Sequence, residues 1–377
     1  MTLSEEKNSI RAYISEKSLT PSVFTCWAPE RMAFGPYRQK SGRQSKLLSP
    51  GDIERAFYAG SYADSDMFLL KAMHCFTYAP PECLLSLVRY WYRKEVREAS
   101  REERPQRAIP SFEKYTDMHG RLSELARTGL IARYAFYPLA PRPGREGCPE
   151  TIYKATGHSV GFYKKKLLEN DMPYDPRDGY CNAEDAFSAC LTAYACAAFL
   201  GSPFLKAVSF KRDYEIEKVR HKVRAEMVFH PEGASGEDSD ETVVFLEGMT
   251  FRTNENLVTL KRRREYNEGR ITELSEVIGD AVTKRKAFLI LCLEDAAGLS
   301  EAAKIIRDRA PLLIGRTLLT TERVLYDADV FSDPANAAKC FLSLEENGVE
   351  GATGLYFLTP KEAGGSLSFR TSGKKFS

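Results

Sequence analysis

Apolar residues recur at helical spacing in the first third of the chain and then give way to strand-length runs. Ser49-Pro50-Gly51-Asp52 reads as a helix start, with Ser49 as the cap and Pro50 in the first turn. Helical spacing follows over 64–76. It returns after Pro80-Pro81 through Leu84, Leu85, Leu87, Val88, Trp91 and Tyr92, and again over 113–128, where Gly129 supplies a stop. Segment 93–107 mixes both signs of charge and reads as a solvated helix end or loop. Beyond Gly129 the pattern predicts strands over 130–137 and 151–156, joined by a Pro/Gly/Arg-rich loop over 138–149.

Three helices followed by a hairpin with a basic loop is the layout of a winged helix, whose third helix enters the major groove while the loop touches phosphates. On that reading the third helix presents Arg121, Ser123, Glu124 and Arg127 to DNA, and the wing adds Arg142, Arg145 and Lys154. A winged helix that serves protein contacts is the alternative.

Segment 157–185, with Lys164-Lys165-Lys166, Pro173, Pro176 and Gly179, reads as a connector. After it come a helix over 182–200, stopped by Gly201 and Pro203, a strand over 205–210 and a charged segment with Glu215, Glu217 and Arg220. Two more apolar runs, 224–229 and 242–249, flank a Gly/Ser/Asp-rich turn, and a basic segment with helical spacing follows. The run KAFLILCL predicts a central buried strand ending at Leu293. A helix over 300–309, strands over 317–320 and 324–326, and a helix over 334–344 complete an α/β pattern. The expected fold is therefore mixed α/β. Its parts are a basic leader over 1–48, a winged helix-turn-helix over 49–160, a connector over 161–181, an α/β unit over 182–350 and a loose tail over 351–377.

Composition adds three points. Residues 1–170 carry 27 Lys/Arg against 19 Asp/Glu, whereas the rest carries 27 against 33, a split that suits a polyanion partner for the first half. Arg38, Lys40, Arg43 and Lys46 belong to the leader, read either as a mobile arm or partner-binding leader or as an arm lying along phosphates. Nine scattered cysteines without a CxxC pair point to a reducing compartment and no structural zinc. With no apolar leader peptide and no membrane-spanning run in view, a cytoplasmic protein is expected.

Two residues stand out in the second half. Glu226 and Glu247 each lie inside an apolar strand run, where a carboxylate costs several kcal/mol unless it is paired or liganded. Solvent-facing carboxylates on edge strands are the plain alternative. Helix, then strands with a carboxylate in each of two, then helix and further strands resembles the PD-(D/E)XK nuclease core. There two carboxylates hold a divalent metal that activates water, and a lysine assists. The resemblance implies Glu226 and Glu247 as metal ligands, with Mg²⁺ or Mn²⁺ as the ion. Met249 stands where that family has its lysine, Lys261 is placed to replace it from the following helix, and Glu184 or Asp185 could complete the site. Arg262 and Arg263 extend the basic run next to Lys261 and are read as DNA contacts, although at least two of the four cations over 261–264 read as a solvated helix face.

The order Leu125…Gly129-Leu130-Ile131, Tyr153-x-x-Thr156 with a glycine after it, Arg224-Ala225-Glu226-x-Val-Phe, Phe245-Leu246-Glu247 and Lys261-x-x-x-x-Tyr266 resembles the replication-relaxation family of plasmids and integrative elements. The resemblance spans about 50–345. It implies a double-stranded-DNA-binding accessory protein acting beside a relaxase or replication initiator, with a degenerate nuclease-like unit. The alternatives are an active metal-dependent endonuclease using Glu226, Glu247 and Lys261, and a protein-interaction scaffold.

Overall fold

The structure is a computed structural model that describes residues 2–24, 49–59, 64–102, 115–138, 140–157, 159, 183–230, 241–251, 257–283, 285–331, 333–353 and 355. The fold is mixed α/β, with nine α-helices, a three-stranded sheet and a seven-stranded sheet among these residues. The parts of the expected leader over 25–48, the connector over 161–181 and the tail from 356 lie outside them.

The first unit contains α2 (Pro50–Tyr58), α3 (Asp64–Phe76), β1 (Tyr78–Ala79), α4 (Pro81–Glu102), α5 (Tyr115–Thr128), β2 (Ile131–Phe136) and β3 (Glu150–Ala155). Its strands run antiparallel in the order β1-β3-β2, with Tyr134 opposite Ile152 and Ala79 opposite Tyr153. Gly129 ends α5 at φ 81, a conformation that costs glycine little, and its N–H donates to Ala126. Leu122, Leu125, Leu130 and Tyr153 close the small core beneath α5.

The larger unit contains α6 (Ala183–Phe199), β4 (Leu205–Ile216), β5 (Val219–Phe229), β6 (Thr242–Met249), α7 (Leu257–Val282), β7 (Lys286–Leu293), α8 (Ala296–Arg309), β8 (Thr317–Thr321), α9 (Glu322–Asp327), β9 (Leu342–Glu345) and β10 (Gly348–Gly351). The strand order is β10-β9-β8-β7-β6-β5-β4. Strands β6, β7 and β8 are parallel, as the helical crossovers α7 and α8 require, and the flanking pairs are antiparallel. β6 is buried along its whole length, which explains its unbroken apolar run. At Gly248 the helix α6 comes so close that an added Cβ would lie 2.5 Å from the Thr192 nitrogen and 2.6 Å from the Leu191 Cβ.

Several elements differ from their sequence expectation. The charged segment after 210 is the tip of a long β4–β5 hairpin, turned by Glu217 and Lys218 at φ 48 and 67, the left-handed pair that matches strand twist. The strand expected over 324–326 lies in α9, because Thr321 caps the Val324 N–H and starts a helix there. The helix expected over 334–344 is a 3₁₀ turn, Pro334–Lys339, followed by β9, which pairs with both β8 and β10.

The start of the expected mobile leader is instead helix α1 (Leu3–Lys17), opened by a Thr2–Glu5 capping box. Ile10 and Ile14 are buried, and the chain continues into the α/β unit: Ser22 N–H donates to the Glu294 carbonyl at 2.7 Å, and Ala296 N–H donates to Ser18 at 2.9 Å. A Cβ on Gly351 would overlap the Lys7 carbonyl and stand 2.8 Å from the Ile10 Cβ. Gly351→Ala is therefore expected to lower stability by about 1–3 kcal/mol and to expose the α1 segment to protease in limited proteolysis. Unchanged cleavage there would show that α1 does not depend on this contact.

Candidate functional site

The register of the large sheet decides how the two strand carboxylates stand. Glu226 on β5 lies opposite Phe245 on β6, and Glu247 is two residues further along β6, so both carboxylates occupy one face as diagonal neighbours. Both are buried, at 1% exposure each, which removes the alternative of solvent-facing edge residues. The family resemblance implied a shared metal for them; the sequence did not foresee what surrounds them.

Glu247 is held by two arginines. Arg224, from the neighbouring strand, reaches one carboxylate oxygen through Nε at 2.6 Å, and Arg270, from α7, reaches the other at 2.7 Å. Burial works against charge on both guanidinium groups, but Glu247 between them raises both above the ordinary arginine value. Glu226 has a separate set of partners: Arg212 at 3.2 Å, Arg285 at 3.6 Å and the Tyr214 hydroxyl, which donates to it. Burial, and then the bond to Glu226, push the Tyr214 hydroxyl well up. Each carboxylate is thus neutralised by its own cations, and among the described residues no group of three or more His, Cys, Asp or Glu side chains could hold a metal ion.

Lys261 does not join them. It stands 79% exposed on α7, paired with Glu265 at 3.8 Å one helical turn on. Met249 is buried in the sheet, filling apolar space. Asp185, at the start of α6, is taken by Arg263 at 3.4 Å, and the Glu184 side chain lies outside the described residues.

The remaining expected contacts divide sharply. Arg263 was expected at a DNA surface, but it is buried: it donates through Nε to the Thr250 carbonyl and through Nη2 to Ser188, tying the end of β6 to α6. Arg262 is exposed beside it. Arg121 on α5 is bound bidentately to the buried Asp66 of α3, which fixes the α5 packing. Ser123 turns its hydroxyl back onto the His119 carbonyl, a bond within the helix. The Arg127 side chain lies outside the described residues. Lys154 lies over the Tyr78 ring and donates to its hydroxyl at 3.2 Å. Arg145 in the β2–β3 loop is partly exposed and pairs with Glu150 at 3.4 Å.

Arg142 is the clearest correction. It was expected to contact DNA from the wing, yet it is 1% exposed. Its guanidinium meets Glu322 of α9 at 2.9 Å, Glu82 of α4 at 3.0 Å and Glu150 at 3.4 Å, and packs near the rings of Phe24, Tyr194 and Tyr326. The loop therefore plugs into the α/β unit, and Arg323 adds a bond to the Ala140 carbonyl. Burial pushes the Glu150 carboxyl up, while Arg142 and Arg145 pull the other way.

Beside Glu247 opens a cleft of about 790 Å³. Its walls come from the α3–β1 junction, α6, the β4–β5 hairpin and α7, and Arg224 and Arg270 both line it. Sequence reasoning missed it, because its walls come from four stretches far apart in the chain. No family model matches the chain, and neither curated proteins nor solved structures offer a match. Among the described residues, no helix is long and apolar enough to cross a membrane.

Proposed function

We propose that the chain is a double-stranded-DNA-binding accessory protein of a plasmid or mobile element, related to the replication-relaxation family and acting beside a relaxase or replication initiator. In this reading a winged helix precedes a nuclease-like α/β unit that holds DNA without cutting it. The observation that carries the DNA-binding part is the order of the first unit. Helix, short strand, two helices and a hairpin, with the sheet order β1-β3-β2, is the layout a winged helix needs. The larger unit has the matching order of one helix, three antiparallel strands, a helix and a parallel strand.

The Arg224–Glu247–Arg270 arrangement favours holding over cutting. A metal ion bound there would have to displace two guanidinium groups from a buried carboxylate.

Fluorescence anisotropy with a duplex tests the reading. Binding is expected to fall steeply with salt, and Arg127→Ala with Arg145→Ala is expected to weaken it uniformly and lower the salt slope by roughly one unit per cation. Arg142 and Arg121 are poor probes, because both are structural. Binding indifferent to ionic strength sinks the proposal, and co-purification of a protein partner without duplex binding would point to a scaffold. Plasmid cleavage in Mg²⁺ that disappears with Glu247→Gln would establish an active nuclease instead.

A further inference from the structure

The cleft beside Glu247 has properties that duplex binding by the first unit does not use. It lies where the two units meet, a common place for ligand sites, and its volume of about 790 Å³ falls within the usual range for small organic ligands. Five cationic side chains line it against four carboxylates. Arg263 and Lys261, outside the cleft, take Asp185 and Glu265, while Glu247, also outside it, takes Arg224 and Arg270, so the walls and these partners together keep a small cationic excess that favours an anion. Arg224 and Arg270 are held in place by Glu247, which supplies fixed rather than floppy donors for a bound phosphate. Tyr266, about half exposed, brings an aromatic ring to the same walls.

Two further observations point to the same place. Gly269 lies in the middle of α7, where glycine costs about 1 kcal/mol relative to alanine. A Cβ there would meet nothing within 4 Å, so the cleft wall is open at that point. Two non-glycine residues with positive φ also line the cleft from separate parts of the chain. These are Thr77 at φ 67, between α3 and β1, and Lys211 at φ 53, in the middle of β4. Such conformations cost of order 1–3 kcal/mol and gather at binding sites.

We propose that this cleft binds a nucleotide-class ligand, with its phosphate on the Arg224–Arg270–Lys211 side and its planar ring against Tyr266. A free mononucleotide and the 5′-phosphorylated terminal nucleotide of a strand share that chemistry. The proposal does not rest on duplex binding by the first unit, and neither result decides the other.

Isothermal titration of the full chain provides the test, using AMP, adenosine, inorganic phosphate, and a dinucleotide with and without a 5′-phosphate. AMP binding without binding of the phosphorylated dinucleotide identifies a free nucleotide as the source. Binding of the phosphorylated dinucleotide without AMP identifies a strand end. Gly269→Leu, which puts a side chain into the cleft while leaving its ion pairs intact, is expected to weaken binding at least tenfold. Gly269→Ala is the folding control and should raise the thermal midpoint. If Gly269→Leu does not fold, Tyr266→Ala carries the test with the same tenfold expectation. The proposal is overturned if neither phosphorylated ligand binds at millimolar concentration. It is also overturned if adenosine or inorganic phosphate binds as tightly as the phosphorylated ligand that does bind, or if the cleft variants bind like the parent.

Discussion

Replacing Arg142 with alanine is expected to lower the unfolding free energy by about 3–5 kcal/mol, the usual result of removing one partner from a buried ion cluster. The reason lies in what remains. Glu322 is fully buried and Glu150 nearly so, and with Glu82 they would face one another with only the outlying Arg145, at Glu150, as a cation. The three aromatic rings around the guanidinium would also line an empty space. Arg142→Lys keeps one charge but loses the fork that reaches several carboxylates at once, so an intermediate loss is expected. Urea unfolding of the two variants measures this. A loss below about 1 kcal/mol for the alanine variant would mean that the loop does not anchor the two units together.

Glu247→Ala is the second large effect, and it separates a structural carboxylate from a metal ligand. Arg224 and Arg270 would lose their shared partner beneath the cleft, which predicts a loss of about 3–5 kcal/mol. Glu247→Gln keeps a hydrogen-bond acceptor and should lose less. A carboxylate kept apart for a metal behaves in the opposite way: its removal relieves repulsion, and the parent protein is stabilised by the ion. The thermal midpoint of the parent should therefore not move in millimolar Mg²⁺, and Glu247→Ala should melt well below it. A midpoint that rises with Mg²⁺ in the parent but not in the variant would reverse the assignment. Combining Glu247→Ala with Arg270→Ala should recover part of the loss, since the unpaired charge is then gone.

How far the sequence could be read depended on whether a residue's partners were close in the chain. Apolar spacing marked α3, α5, β6 and β7 because burial of one helix face or of a whole strand leaves a periodic trace. Short elements were harder. The Val324-Leu325-Tyr326 run reads equally well as a strand, and only the Thr321 cap makes it helical. The α1 helix carries charges on most of its surface, so its two buried isoleucines gave little warning that it docks on the sheet edge.

By itself, the sequence determined the mixed α/β character, the strand positions of Glu226 and Glu247, and the need for something to offset each buried charge. These follow from local rules: strand period, helix stops and the cost of an apolar carboxylate. Tertiary structure alone decided what meets those charges. Arg142 lies in a Pro-Arg-Pro-Gly-Arg stretch that looks like a surface loop, and its acids lie 60, 8 and 180 positions away. Arg224 and Arg270 reach Glu247 from 23 positions on either side, one across the β5–β6 pairing and one from α7. Whether a buried carboxylate is answered by a metal or by a guanidinium depends on which side chains folding brings within about 3 Å, and Coulomb attraction over that distance carries no signature in the spacing of residues along the chain.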